Sequence, residues 1–164
     1  MFRPICTLAA AAALLAVSFD SNAVIVSTGG GGSSLVCNGA ASNGVIWPPD
    51  HSLVPETIVG VTDDPAAGTV TITITGIEQD EPVLTQGSGN TQPDGVIQGP
   101  TAYVRAERSG PGTGRLYFIS YSAMDGIGNT CTGVVQVQVP HDQGQGYIPT
   151  DTGNRYDSTV VPVS

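Results

Sequence analysis

The stretch "TVTITITGI", Thr69 to Ile77, gives the clearest indication of the fold of this 164-residue chain. Its aliphatic residues Val70, Ile72 and Ile74 fall on one face of an extended strand, and threonines fill the other face. β-Branched residues favour an extended backbone, and alternation with a period of two is typical of a half-buried strand. The stretch therefore predicts a β-strand with one face in the core.

The same alternation recurs along the chain, which predicts about seven strands. No segment after the N-terminal region has helical spacing of useful length, and 22 Gly and 12 Pro punctuate the short strands. We expect an all-β fold, an immunoglobulin-like antiparallel β-sandwich. The remaining predicted strands lie in "GVIQ" (Gly95–Gln98), "TAYVRAE" (Thr101–Glu107), "RLYFISYSA" (Arg115–Ala123), "VVQVQV" (Val134–Val139) and "HSLVPETIVGV" (His51–Val61), which holds one or two short strands.

The first 23 residues have the features of a secretory signal peptide. Arg3 supplies a basic start, residues 5–17 are apolar, and "SNA" at 21–23 offers small residues for cleavage. A membrane anchor is the alternative, but a span needs about 20 apolar residues and this run is shorter. We therefore expect a secreted protein, extracellular or periplasmic, with no membrane insertion after cleavage.

The rest of the chain divides by composition into three parts. Residues 24–34, with four consecutive glycines, predict a flexible Gly/Ser-rich linker. Residues 35–142 contain the periodic stretches and predict the folded domain. Residues 143–164 form a polar, turn-rich tail, either draped on the domain through Tyr147 and Tyr156 or disordered.

The charge balance excludes some partners. The net charge is −9, the pI is about 4.2, and all five basic residues are arginines. Nucleic acid is therefore a poor partner, because neutralising phosphates requires clustered Lys and Arg. An acidic balance is more simply explained by the solubility of an exported protein.

Two cysteines, Cys37 and Cys131, remain after the predicted cleavage. In an oxidising compartment a single pair is most simply a disulfide. A zinc or redox role is less favoured, because the chain has no Cys-x-x-Cys and only two histidines.

Several phrases carry a family resemblance, above all "YFISYSAMDGIGNT" (residues 117–130), with "IWPPDHSLVP", "TGIEQDEPV", "PDGVI" and "VPHDQGQ" elsewhere. From Cys37 to Gly146 the chain resembles immunoglobulin-like domains of the HYR and PKD kind, which recur in secreted and surface proteins of bacteria. The resemblance implies a spacer or an adhesive module.

The resemblance also implies which loops meet, because successive loops of such a sandwich alternate between its two ends. Loops 63–68 and 125–131 would share one end with Cys37 and Asp50, which agrees with the expected disulfide. The segment with Glu78, Asp80 and Glu81 would share the other end with residues 108–115.

Calcium is the sharpest binding hypothesis. Ca²⁺ takes six to eight oxygen ligands, which Asp and Asn in neighbouring loops can supply. Asp63, Asp64, Asp125 and Asn129 would converge at the end without arginines, with Asp50 as a further candidate. The alternative is that these are ordinary turn residues bonded to their own backbone.

Catalysis receives little support. The carboxylates of residues 78–81 are better explained as partners of Arg105, Arg108 and Arg115 that brace a long loop. The chain lacks a Gly-x-Ser-x-Gly elbow and a His-Glu-x-x-His motif. His51 precedes the first strand and His141 follows the last, so we expect them to lie far apart.

We therefore expect a non-catalytic module, with no certain cofactor, that binds an extracellular protein or glycan or acts as a spacer. The alternative is a carbohydrate-binding accessory or a small secreted hydrolase. Trp47 could stack on a sugar, although packing at the end of the sandwich is the simpler interpretation.

Overall fold

The computed structural model describes residues 23–26, 34–144 and 148–162, with side chains from residue 34 onward. Within these residues no helix is long and apolar enough to cross a membrane. The described chain forms a 3-10 turn at Pro65–Ala67 and nine strands: β1 (Ala23–Val26), β2 (Ala40–Ala41), β3 (Leu53–Val59), β4 (Thr71–Gln79), β5 (Gly95–Gln98), β6 (Thr101–Arg105), β7 (Gly114–Met124), β8 (Thr130–Pro140) and β9 (Tyr156–Asp157).

The strands form two antiparallel sheets, as the sequence predicts. One has the order β1-β8-β7-β4-β9 and the other the order β2-β3-β6-β5. The arrangement of β2-β3-β6-β5 against β8-β7-β4 is that of strands ABED against GFC in an immunoglobulin sandwich. The predicted fold class is confirmed. The described residues contain nine strands rather than about seven because β1, β2 and β9 add short edge strands.

The core lies between β7 and β8 on one side and β6 on the other. Ile119, Tyr121 and Val137 of the larger sheet face Ala102 and Val104, and all are buried. These residues alternate along their strands, so the period of two read from the sequence identifies the core face. Burial of alternating aliphatic and aromatic side chains is the main term that stabilises the sandwich.

Strand β4 contains a β-bulge, which changes the positions that face the core. Its pairing with β7 shifts between Ile74 and Gly76, so one extra residue is accommodated in β4. As a result Ile74 and Ile77, which are three apart, are both buried. A bulge resets the alternation, because the extra residue reverses which positions face the core.

The predicted disulfide is present. Cys37 and Cys131 are bonded, with their Cα atoms 5.9 Å apart. The bond joins the segment before β2 to the second residue of β8. Beside it, the Tyr121 hydroxyl donates to the Cys37 carbonyl at 3.1 Å and accepts from the Gly39 amide at 3.0 Å. Two kinds of bond thus fix the start of the domain to its central strands.

The terminal segments depart from the expected division. Ala23–Val26 pairs with Thr132–Val135 of β8, so the last residue of the predicted signal peptide and the first three residues of the predicted linker belong to a sheet. The tail is draped on the domain at Tyr156, since β9 pairs with Glu78 and Gln79 of β4. Residues 1–22, 27–33 and Tyr147 lie outside the described residues, and with them the rest of the predicted signal peptide and most of the predicted linker.

Candidate functional site

A fully buried arginine lies at one end of the sandwich, at the start of β7. Arg115 donates from Nε to Glu81 Oε2 at 3.0 Å and from Nη1 to Asp94 Oδ2 at 2.8 Å. Nη1 also contacts the Tyr117 hydroxyl at 3.1 Å, and the third carboxylate, Glu107, lies 3.9 Å from Nη2. We call this cluster of Arg115, Glu81, Asp94 and Glu107 the arginine end.

The network holds the long connection between β4 and β5. Glu81 and Asp94 lie at the two ends of this loop, and both bind the same guanidinium. Gln79 donates to Asp94 Oδ2 at 2.8 Å and to the Glu81 carbonyl at 2.9 Å. Glu81 also accepts from the Ser109 amide at 2.7 Å, which fastens the β6–β7 loop to the same cluster. Charge-assisted hydrogen bonds of this kind are the strong ones.

Three groups of the cluster, Glu81, Asp94 and Arg115, have shifted pKa values. Burial raises the pKa of Glu81 and of Asp94, although the Arg115 charge opposes that shift. Burial alone would lower the pKa of Arg115, but Tyr117, Asp94 and Glu81 outweigh it and the net shift is upward. Arg115 is therefore a permanent cation, and Glu81 and Asp94 hold their protons more tightly than free carboxyl groups do.

On its outer side the cluster reaches the surface through His51. The His51 ring Nδ1 lies 3.1 Å from Glu107 Oε2, and the Thr91 hydroxyl donates to the same oxygen. The carboxylate thus lies between the imidazole and the hydroxyl. An activated nucleophile needs the base next to the hydroxyl, so this order does not match a catalytic triad.

Three buried polar atoms of the cluster have no hydrogen-bond partner among the described residues: Asp94 Oδ1, Glu107 Oε1 and Arg115 Nη2. Arg105 Nε lies 3.7 Å from Asp94 Oδ1, but its guanidinium donates hydrogen bonds to the carbonyls of His51 and Pro93 instead. Three carboxylates, those of Glu81, Asp94 and Glu107, therefore face two guanidinium groups, those of Arg115 and Arg105.

The predicted brace is confirmed for Glu81 and Arg115. Arg108 instead donates to the carbonyls of His141 and Ser109, and Glu78 lies in the β4–β9 pairing. Sequence reasoning missed the two carboxylates Asp94 and Glu107. One signal was available for Arg115, because it shares the parity of the core residues Tyr117, Ile119 and Tyr121 along β7.

The two histidines lie at the same end of the sandwich, which corrects the expectation that they are far apart. The His51 amide donates to the Ala106 carbonyl, and the His141 ring bonds the Gly110 carbonyl at 3.1 Å, both in the β6–β7 connection. They share an end because β3 begins where β8 ends. Within the described chain neither ring contacts a serine hydroxyl, so the pair forms no nucleophile–base couple.

The opposite end, which we call the disulfide end, contains the Cys37–Cys131 bond and loops 63–68 and 125–129. The two loops do meet, since a Cβ on Gly68 would lie 3.3 Å from the Gly126 Cα. This agrees with the loop arrangement that the resemblance implies.

The four predicted calcium ligands are mostly bonded to their own loops. Asp64 caps the 3-10 turn. Asp125 Oδ1 accepts from the amides of Ile127 and Asn129 at 3.0 and 2.7 Å, and the Asn129 side chain donates to its other oxygen. Asp63 accepts from Ser34. The described residues contain no group of three or more His, Cys, Asp or Glu side chains suited to a metal ion. Calcium binding stays a prediction.

Asp50 does not belong to the disulfide end, which corrects its predicted location. It precedes β3, whose first residue pairs with Arg105, so it lies at the arginine end. Its carboxylate accepts from the amide and the hydroxyl of Ser52, which lower its pKa. Its role is to close a turn.

Trp47 is 39% exposed and lines a groove of about 320 Å³ between the β2–β3 connection and the end of β8. Val45 and Ile148 supply apolar walls, and Gln138 and Asp142 supply polar groups. Among the described residues the other exposed large aromatic side chain is Tyr156. Trp47 is therefore a single exposed aromatic residue and not part of an aromatic row.

No family model matches the chain. Searches of curated proteins and of solved structures likewise found no match. The resemblance to HYR and PKD domains therefore stays an expectation from sequence phrases.

Proposed function

We propose that this chain is a non-catalytic, secreted immunoglobulin-like module that acts by binding an extracellular protein or glycan or by spacing. The observation that supports the proposal is the use of its charged groups. Arg115, Glu81, Asp94 and Glu107 point inward and hold the loops of one end together. An enzyme instead presents perturbed acids and bases to a cleft.

The test is a turnover assay with esters, peptides and glycosides on the purified oxidised protein. We expect no turnover. Turnover that Glu107→Gln abolishes and the matched surface change Glu78→Gln preserves would contradict the proposal, because it would place chemistry at the arginine end. Near-ultraviolet circular dichroism of both variants controls for folding.

Glycan binding has one specific observation in its favour, the groove at Trp47. An exposed indole face with a carboxylate and amides nearby can stack on a sugar ring and bond its hydroxyls. Trp47 is the one tryptophan in the sequence, so its fluorescence reports on this groove alone. We expect a saturable change in Trp47 fluorescence when an oligosaccharide that binds the groove is titrated in, and we expect Asp142→Asn to abolish that change. Unchanged fluorescence across a panel of glycans would leave protein binding or spacing as the role.

A further inference from the structure

The outer edge of β4 is only partly covered. On one side β4 pairs with β7, and on the other β9 covers Glu78 and Gln79. No strand among the described residues pairs with Thr71–Thr75 on that second side. An edge of this kind presents backbone N–H and C=O groups to any chain that can form a strand.

The bulge determines which backbone groups point outward. The Ser158 amide donates to the Ile77 carbonyl at 2.9 Å, so Ile77 directs its backbone groups away from β7. Neighbouring positions of β7 alternate in direction, and positions two apart point the same way. Ile74 and Ile72 therefore also direct their amides and carbonyls outward. The β7 residues opposite Ile77, Ile74 and Ile72 are Ile119, Tyr121 and Ala123.

The free edge lacks the usual protection against pairing. Thr71–Thr75 reads Thr-Ile-Thr-Ile-Thr, with no charge and no proline. Lysine, proline and short length are the common protective devices of edge strands. Strand β3, which β2 covers over only part of its length, carries Pro55. The edge strands β2 and β5 of the smaller sheet are two and four residues long.

We propose that Thr71–Thr75 pairs with the same stretch of a second copy, across a two-fold axis at Thr73. In this antiparallel register Ile72 lies opposite Ile74 of the second copy, and Ile74 lies opposite Ile72 of the second copy. Each of these two pairs exchanges two backbone hydrogen bonds, which gives four in all. Thr73 then faces Thr73 of the second copy. The sequence is self-complementary about Thr73, and threonine–threonine pairs are favourable across strands.

The surroundings of the edge allow this register. A groove of about 470 Å³, bounded by Thr75, Gly76, Ile97 and Thr159, lies where the free edge ends and β9 begins. In the proposed register Val70 of the second copy leaves the ladder at this groove. A five-residue pairing buries less surface than stable interfaces do, so the dimer is weak and depends on concentration.

Sedimentation velocity over a range of concentrations tests the pairing. We expect the wild-type protein to shift from monomer to dimer as concentration rises. Thr73→Lys places two ammonium groups opposite each other at the axis, which raises the dissociation constant at least about tenfold. The matched control Thr130→Lys adds the same charge at an exposed position of β8 in the same sheet and leaves the dimer intact.

Mixing two variants distinguishes loss of pairing from loss of folding. Thr73→Lys and Thr73→Glu each remain monomeric alone, and an equimolar mixture dimerises because opposite charges meet at the axis. A wild type that stays monomeric at every concentration would overturn the proposal. So would a mixture that stays monomeric, a Thr73→Lys variant that dimerises like wild type, or open-ended oligomers, which a two-fold contact cannot form.

Discussion

The two ends of the sandwich are held by different kinds of bond. At the disulfide end a covalent link joins Cys37 to Cys131, and the neighbouring carboxylates close turns within their own loops. At the arginine end no covalent cross-link is present among the described residues, and carboxylates from both ends of the β4–β5 loop and from the β6–β7 loop converge on Arg115. Local bonds survive changes elsewhere in the domain, whereas a shared buried cation makes two loops depend on one residue.

The largest effect is expected from removing the covalent link. Cys37→Ala with Cys131→Ala frees a loop of 94 residues, which the chain-entropy account values at about 4 to 5 kcal/mol. Urea unfolding of the double variant and of the reduced wild type should show the same loss. A loss below about 1 kcal/mol would mean that the disulfide end is held by its turns instead.

Arg115→Met should cost about 3 to 5 kcal/mol, because it leaves buried carboxylates without their cation. The matched control is Arg155→Met, which breaks the partly exposed pair with Asp151 and a stacking contact on Phe118. That change should cost roughly 1 kcal/mol. Equal losses in the two variants, measured by urea unfolding, would contradict a special role for the buried cluster.

A change of pH should affect the stability of the two ends in opposite directions, and this effect should be smaller than that of the two substitutions above. Burial raises the pKa of Asp80, Glu81 and Asp94, so the folded chain binds more protons than the unfolded one. Their contribution to the free energy of unfolding is fully present below the unfolded pKa of about 4 and is lost as pH rises through the folded values. We expect a higher urea midpoint at pH 5 than at pH 8.

The variant Asp94→Asn should flatten this dependence, and the exposed change Asp142→Asn should not. At the disulfide end the sign is opposite. Burial would raise the pKa of Asp125, but hydrogen bonds from Asn129, Ile127 and Gly128 outweigh it, and the pKa lies below its ordinary value. Its contribution is present above the unfolded pKa and is lost only as pH falls further. A midpoint that rises steadily from pH 5 to pH 8 would refute the assignment.

Added calcium should have the smallest effect on the stability of the domain. A site at Asp63, Asp64, Asp125 and Asn129 with the affinity of extracellular modules would add about 1.4 kcal/mol at tenfold excess over its dissociation constant. Melting curves with calcium and with chelator measure this directly. Asp125→Asn should remove any shift. An unchanged midpoint would eliminate calcium from the account of the disulfide end.

The sequence predicted strands β3 to β8 because alternation over several residues is a local signal. It could not predict β2 and β9, which are two residues long and exist only because other strands offer them partners. The bulge in β4 was not predicted, although Gly76 and the three-residue spacing between Ile74 and Ile77 interrupt the alternation at that point.

The arginine end was harder to predict from the sequence than the strands, and the reason is physical. Arg115 has the parity of a core residue, but an arginine is normally placed outside, and only its three carboxylates make burial tolerable. Alternation places Glu107 on the outer face, with Tyr103 and Arg105. Strand β6 ends at Arg105, so the alternation ends there, and both Ala106 and Glu107 are buried. The meeting of Glu81, Asp94 and Glu107 depends on loop conformations that no local pattern encodes.

The Cys37–Cys131 bond also determines how the module behaves under tension. A force applied to the two ends of the chain enters at Cys37, crosses the sulfur bridge and leaves through β8. The cysteines are 94 residues apart in sequence, and the segment between them, which includes β2 to β7, therefore carries no stretching force. Only the terminal segments can lengthen while the bridge is intact. Reduction would release roughly 320 Å of additional contour length, so redox state sets the extensibility of this domain.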